Sequence, residues 1–267
     1  MSAETLQPLA TLPDAARRLV RGVLTDIDDT LSTDGRVSAA AYAAMERLRA
    51  GGVLVIPVTG RPAGWCDHIA RMWPVDAVVG ENGALYMIHD QRRGKLRKRY
   101  APDADPGASR GRLETIASTI LREVPGAALA SDQRYRETDL AIDYCEDVPP
   151  LARDAVDRIV ALMRAEGMAV RVSSIHVNGW FGTYDKLTTT RMLLRDEFGM
   201  DLDRERHRFV FAGDSPNDEP MFAHFPYSVG VANVRRFADR MTALPRYVTE
   251  REAGAGFAEL ADFLVSR

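Results

Sequence analysis

Cysteine is almost missing from this sequence: two residues in 267, Cys66 and Cys145, stand in unrelated contexts. That excludes a disulfide framework or a thiolate metal site and suits a reducing cytoplasm. Histidine is scarce too, and His68, His89, His207 and His224 show no ligand spacing, so structural roles are expected for them. No apolar run is long enough to cross a bilayer. The opening stretch MSAETLQPLATLPDAARR has no basic start followed by an apolar segment, so it does not read as a signal peptide. No excess of one charge is present either: 35 basic against 38 acidic residues leave a net charge of -3. Such a balance exerts no global pull on nucleic acid or an anionic membrane. What is there is ordinary for a soluble, cytoplasmic protein: 46% hydrophobic residues, enough for one large or two modest domains.

Along the chain, "GVLTD" reads as a buried strand, and Ser38 is a plausible N-cap for a helix through "AAAYAAMERLRA", stopped by Gly51 and Gly52. "VLVIPV" is a continuous apolar run suited to a strand covered on both faces, and "AVVG" reads as another. Strands alternating with helices predict a parallel sheet with helices on both sides. From about Leu85 to Trp180 the rhythm changes to strand-like pieces ("ALYMIHD", "DLAIDYC", "MAVRVSSIHV") and helices near 110–123 and 151–166. A separate α+β module inserted into the first domain fits that change. The parallel rhythm then resumes with a helix over 186–198, "RFVFAGD" and "YSVGVA".

Three strand ends carry polar residues of chemical character: Asp26 and Asp28, then Thr59 and Gly60, then "GDSPND" over 213–218. In a parallel α/β sheet ligands collect at the carboxyl ends of strands, so all three should face one crevice, joined by Lys186. Carboxylates gathered in a buried place repel unless a cation sits among them. Asp26, Asp214 and Asp218 make a hard-oxygen set that suits Mg²⁺. Asp28 is surplus to a simple metal site, and a second carboxylate near the metal is what general acid/base chemistry needs. Thr59, the Gly60 amide and Lys186 suit a phosphoryl group. An EF-hand is excluded, because Leu31 and Val37 occupy positions needing glycine and an acid.

The segments "DIDDT", "VTGRP", "YDK" and "GDSPNDEPM" resemble, in order, the four motifs of the haloacid dehalogenase phosphohydrolase superfamily. The resemblance implies an α/β fold with a Rossmann-like core and an inserted α+β cap. Core residues would be 1–88 and 181–267, and the cap 89–180. "GENGA" and "GAGFAEL" also look like the branch with type-two B caps, which includes phosphatases for trehalose-phosphate and sucrose-phosphate. Asp26 would then be the nucleophile, forming an aspartyl-phosphate, and Asp28 the acid/base. Thr59, Gly60 and Lys186 would hold the phosphoryl group, with Asn217 in support. Asp26, the Asp28 carbonyl, Asp214 and Asp218 would gather around Mg²⁺. The implied activity is hydrolysis of a small phosphorylated metabolite, a sugar phosphate above all. A hexose phosphomutase is the alternative, and a non-catalytic sugar-phosphate-binding regulator a weaker one.

Further candidates for the substrate cleft are Arg61, Asn82, His176 and Asn178; by period two His176, Asn178 and Trp180 share a strand face. Trp180 itself reads as core or hinge, and Asp139 or Asp143 as possible contacts to sugar hydroxyls. Asp29 reads as a turn residue. The basic run over 92–99 invites a nucleic-acid reading, but a solvated hairpin or edge strand on the cap is the expectation.

Overall fold

The computed structural model describes residues 6–266. Its central sheet has six strands in the order Gln7–Pro8, Tyr247–Val248, Ser228–Gly230, Phe209–Gly213, Gly22–Thr25, Leu54–Pro57. Every pairing in it is parallel. Side chains alternate between its faces. Val23, Val55 and Val210 join one buried cluster with Met45, Leu48, Phe257 and Leu260. Leu24, Ile56, Phe209 and Phe211 join another with Leu193, Leu194, Met221 and Phe222. The continuous apolar strands expected from the sequence are thus covered on both sides. Ser38 caps the helix Ala39–Ala50, its hydroxyl accepting from the Ala41 amide at 3.2 Å.

Register sets the site. Thr25 lies beside Ala212 on one side and Pro57 on the other. The Asp26 amide donates to the Ala212 carbonyl at 2.9 Å and the Val58 amide to the Thr25 carbonyl at 2.7 Å. Asp26, Gly213 to Asp214, and Thr59 therefore leave adjacent strands at the same edge.

"AVVG" follows the expected parallel direction on its core side and begins an antiparallel sheet on the other. Val78–Gly80 meets the core in parallel through the bridge Val58 to Val79, with the Thr59 amide donating to the Val79 carbonyl at 2.9 Å, but on its other side it pairs antiparallel with Leu85–Asp90, which pairs antiparallel with Lys95–Tyr100. The basic run is an exposed edge strand here, as its charge predicts. It is placed differently, however: Leu85, Met87, Leu96 and Tyr100 pack with the cluster around Val23. The boundary expected after residue 88 cuts this hairpin. We propose instead that the chain leaves the core near 101–103 and returns near 181–184, where Thr183 donates from its amide and hydroxyl to Asp103.

Between those points lies a second sheet, in the order Ala169–Val172, His176–Trp180, Asp139–Asp143, Ala128–Leu129. "MAVRVSSIHV" is not one strand but a hairpin, closed by the Ser173 amide on the His176 carbonyl at 2.9 Å. One face, with Leu140, Ile142, Val170 and Val177, packs on the helices Arg110–Glu123 and Arg153–Ala165. The opposite face carries Asp139, Asp143, His176, Asn178 and Trp180, all buried. A polar sheet face stays buried only if its groups are paired.

Candidate active site

Asp26, Asp214 and Asp218 offer carboxylate oxygens within 4.8 Å of one another, all buried. Lys186, at the start of the helix Lys186–Phe198, places its Nζ 2.7 Å from Asp26 Oδ1 and 2.8 Å from Asp218 Oδ1. Asp218 spends its other oxygen on the Asp214 and Ser215 amides. Asp214 is oriented by the Thr30 hydroxyl and by Asn233 Nδ2, each at 3.2 Å. One lysine thus faces three buried carboxylates. Burial pushes Asp26 up to about 8; Lys186 opposes this, while Asp218 and Asp28 add to it. Burial and the neighbouring Asp218 and Asp26 raise Asp214 as well. Burial works to lower Lys186, but Asp218 and Asp26 overcome it and hold the ammonium above its ordinary range. The deficit is one of positive charge, and an all-oxygen donor set of this kind can hold a hard cation.

Next to this cluster, Thr59 is fully buried and its hydroxyl accepts from the Arg61 amide at 3.0 Å. The segment Glu81–Gly83 packs against it, the Asn82 amide donating to the Thr59 carbonyl at 3.0 Å. Gly83, at φ +106°, lies where a Cβ would stand 2.1 Å from the Asp185 carbonyl oxygen. Only glycine lets the segment approach the peptide that leads into Lys186. Glu81 accepts from the amides of Ala63 (2.9 Å), Glu137 (2.8 Å) and Thr138 (2.8 Å) and from the Thr138 hydroxyl. It thereby fastens the core to the second module.

Burial, and then Asp139, push Glu81 up to about 7 against those donors. Its unfolded value is near 4.5, so the folded protein holds this proton more tightly. The associated stability is full below about pH 4.5 and is lost as pH rises through about 7. The shift corresponds to at most about 3 kcal/mol. Denaturant melts across that window should show Glu81→Gln losing this share of the slope; an unchanged slope would place the titration elsewhere.

Asp28 lies apart from the metal-type cluster, against Arg61. The Arg61 Nε contacts both Asp28 oxygens at 2.9 and 3.0 Å, and Nη2 reaches Oδ1 at 2.7 Å. From the second module come Glu146, 2.5 Å from Nη2, and Asp132, 3.2 Å from Nη1. His176 Nε2 stands 2.8 Å from Glu146 Oε2. A cleft of about 500 Å³ opens here, lined by Asp28, Asp29, Asp34, Arg61, Glu146, Asp147 and several neutral groups.

A family model described as haloacid dehalogenase-like hydrolase matches residues 23–105. A phosphoglycolate phosphatase of Methanothrix thermoacetophila is 26% identical over 257 residues, covering 92% of this chain and 97% of its own. One from Methanosarcina mazei is 26% identical over 250 residues, with 92% and 97% covered. Among solved structures, a Thermoplasma acidophilum protein superposes with TM-score 0.66 at 18% identity, over 92% of this chain and 98% of that one. The C-terminal domain of Candida albicans trehalose-6-phosphate phosphatase gives TM-score 0.72 at 13% identity, over 99% of both. The family match over residues 23–105 and the phosphatase relatives together support a hydrolase of the haloacid dehalogenase type.

In this hydrolase the structure brings together Asp26, Lys186, Asp214 and Asp218, with Thr59 and Gly60 on the neighbouring strand end. Asn217 is buried beside them, its Oδ1 accepting from the Ser215 hydroxyl at 2.9 Å. Other candidates have different duties. Arg61 is occupied by three carboxylates. Asn82 and Asn178 donate to Asp139 Oδ2 at 3.4 and 3.1 Å. Asp139 is also paired with Arg136 at 3.0 Å, and Asp143 accepts from the amides of Cys145, Glu146 and Asp147. Trp180 is buried and donates to the Tyr184 carbonyl at 3.2 Å. The sequence reading missed Arg136, Asp132, Glu146, Thr30 and Asn233. Arg136 bonds the Gly60 carbonyl at 2.7 Å, a link across 76 positions that no local pattern announces.

Proposed function

We propose that this phosphatase uses Mg²⁺ and releases phosphate from a small phosphorylated metabolite, a sugar phosphate, through an aspartyl-phosphate on Asp26. The observation that carries the proposal is the convergence of Asp26, Asp214 and Lys186 from three separate chain segments into one buried cluster short of positive charge. Asp26, Asp214 and the Asp28 carbonyl would hold the cation, with Asp218 in support through its contacts to Lys186 and the Asp214 amide. Bound there, Mg²⁺ supplies charge neutralisation for the phosphoryl oxygens. An Asp26 oxygen forms the bond to phosphorus as the ester oxygen leaves. Asp28 gives that oxygen its proton and then takes one from the water that hydrolyses the aspartyl-phosphate. Lys186, Thr59 and the Gly60 amide stabilise the phosphoryl oxygens. The four-stranded module acts as a cap that excludes bulk water.

The relatives' name offers a second reading, phosphoglycolate, whose leaving group carries a carboxylate. The cleft favours the sugar phosphate. Its charged lining is acidic apart from Arg61, which is already engaged by Asp28, Asp132 and Glu146. A like-charged ligand group there costs several kcal/mol. Phosphate release from a panel of esters, with and without a chelator, tests the proposal. Activity should disappear with the chelator and return with Mg²⁺, and hexose or disaccharide phosphates should exceed phosphoglycolate by about tenfold or more in kcat/KM. Chelator-resistant turnover would contradict the metal; preference for phosphoglycolate would contradict the substrate class.

A further inference from the structure

Arg61 has no part so far in the chemistry, although it touches the expected acid/base Asp28 directly. Arg61 is anchored in the core: its amide donates to the Thr59 hydroxyl at 3.0 Å and its carbonyl accepts from the Glu81 amide at 3.0 Å. Its guanidinium lies 4.4 Å from the Trp65 ring centroid, and its side chain is 4% exposed. All three guanidinium nitrogens are used, on one carboxylate from the core, Asp28, and two from the cap, Asp132 and Glu146.

The cap partners are themselves held. Asp132 is paired with Arg136 at 3.1 Å, and the Glu146 amide donates to Asp143 Oδ1 at 2.8 Å. Burial works to raise the Glu146 carboxyl, but His176 and Arg61 more than reverse it and keep it down to about 2. A planar guanidinium gripping a carboxylate by two nitrogens fixes its plane, which a point charge cannot do. An acid aimed at a leaving oxygen needs that plane fixed to within a hydrogen-bond distance.

We propose that Arg61 is a positioning residue which, bridged to Glu146 and Asp132, orients Asp28 toward the leaving oxygen only when the cap is seated. This rests on the reading of Asp28 as the acid. Asp28 protonates the departing alkoxide, so the bridge matters for poor leaving groups and little for a nitrophenolate, which departs without a proton.

The test compares kcat on an alkyl phosphate, such as a hexose 6-phosphate, with kcat on 4-nitrophenyl phosphate for Arg61→Lys, Glu146→Gln and Asp28→Asn. Each variant should lower the alkyl-to-aryl ratio, by about 10²-fold for Asp28→Asn and Arg61→Lys and about tenfold for Glu146→Gln. Thermal melts check folding, and if Arg61→Lys fails to fold, Glu146→Gln decides. An unchanged ratio in the Arg61 and Glu146 variants, with Asp28→Asn still discriminating, would overturn the bridge alone. An unchanged ratio in Asp28→Asn would overturn the acid/base assignment beneath it.

Discussion

Asp26→Asn lowers phosphate release by about 10⁴-fold or more while leaving the protein folded and at least as stable as before. Removing a nucleophile takes away the covalent route altogether, and losses of this size accompany such deletions in other hydrolases. Stability moves the other way. Asp26 is one of three buried carboxylates sharing one lysine, and burial pushes it up to about 8. An amide of the same shape keeps a hydrogen-bond acceptor for Lys186 and removes a carboxyl whose charged form burial and Asp218 disfavour. Measuring phosphate release alongside a thermal melt separates the two effects. A variant that is inactive because it is unfolded would not support the assignment, and one that retains turnover would reject it.

Lys186→Met has the opposite thermodynamic sign. Lys186 is buried, 2.7 Å from Asp26 and 2.8 Å from Asp218. The methionine fills similar volume but leaves both carboxylates without their cation. Breaking a buried pair from one side costs about 3–5 kcal/mol, because the stranded charge remains. Urea melts in chelator should show a loss of that order, and turnover should fall by at least about 10²-fold, since a charge stabilising the phosphoryl oxygens is gone. A melt unchanged from wild type would mean that the cluster does not depend on Lys186 for its balance.

The site's core was legible because each residue sits at the end of a recognisable strand or the start of a helix. "VLTD", "VTG" and "FVFAGD" announce themselves by apolar runs ending in polar residues, and parallel pairing brings such ends to one edge. Ser38 and the helix it caps were legible for the same local reason. The hairpin at Ser173 was not, because "AVRVSSIHV" keeps strand-forming residues on both sides of two serines and no glycine marks the turn. The placement of the basic edge strand was hidden as well. Its run of basic side chains shows that it is exposed, but the cluster receiving Leu96 and Tyr100 is assembled from distant residues. Arg61 shows the limit most plainly. Its partners Asp132 and Glu146 lie 71 and 85 positions away, so its occupied guanidinium depends on how the two modules meet. "GENGA" stood out as a segment, but its work is tertiary: Glu81 fastens the module and Gly83 admits the Asp185 peptide.

The most direct test of the central claim is a crystal structure of the protein with Mg²⁺ and a metal-fluoride mimic of the phosphoryl group. One cation shared by Asp26 and Asp214 is expected, with the mimic in line with an oxygen of Asp26 and within reach of Lys186 and Thr59. A mimic bound away from Asp26, or a cation that does not touch Asp26 and Asp214 together, would contradict it.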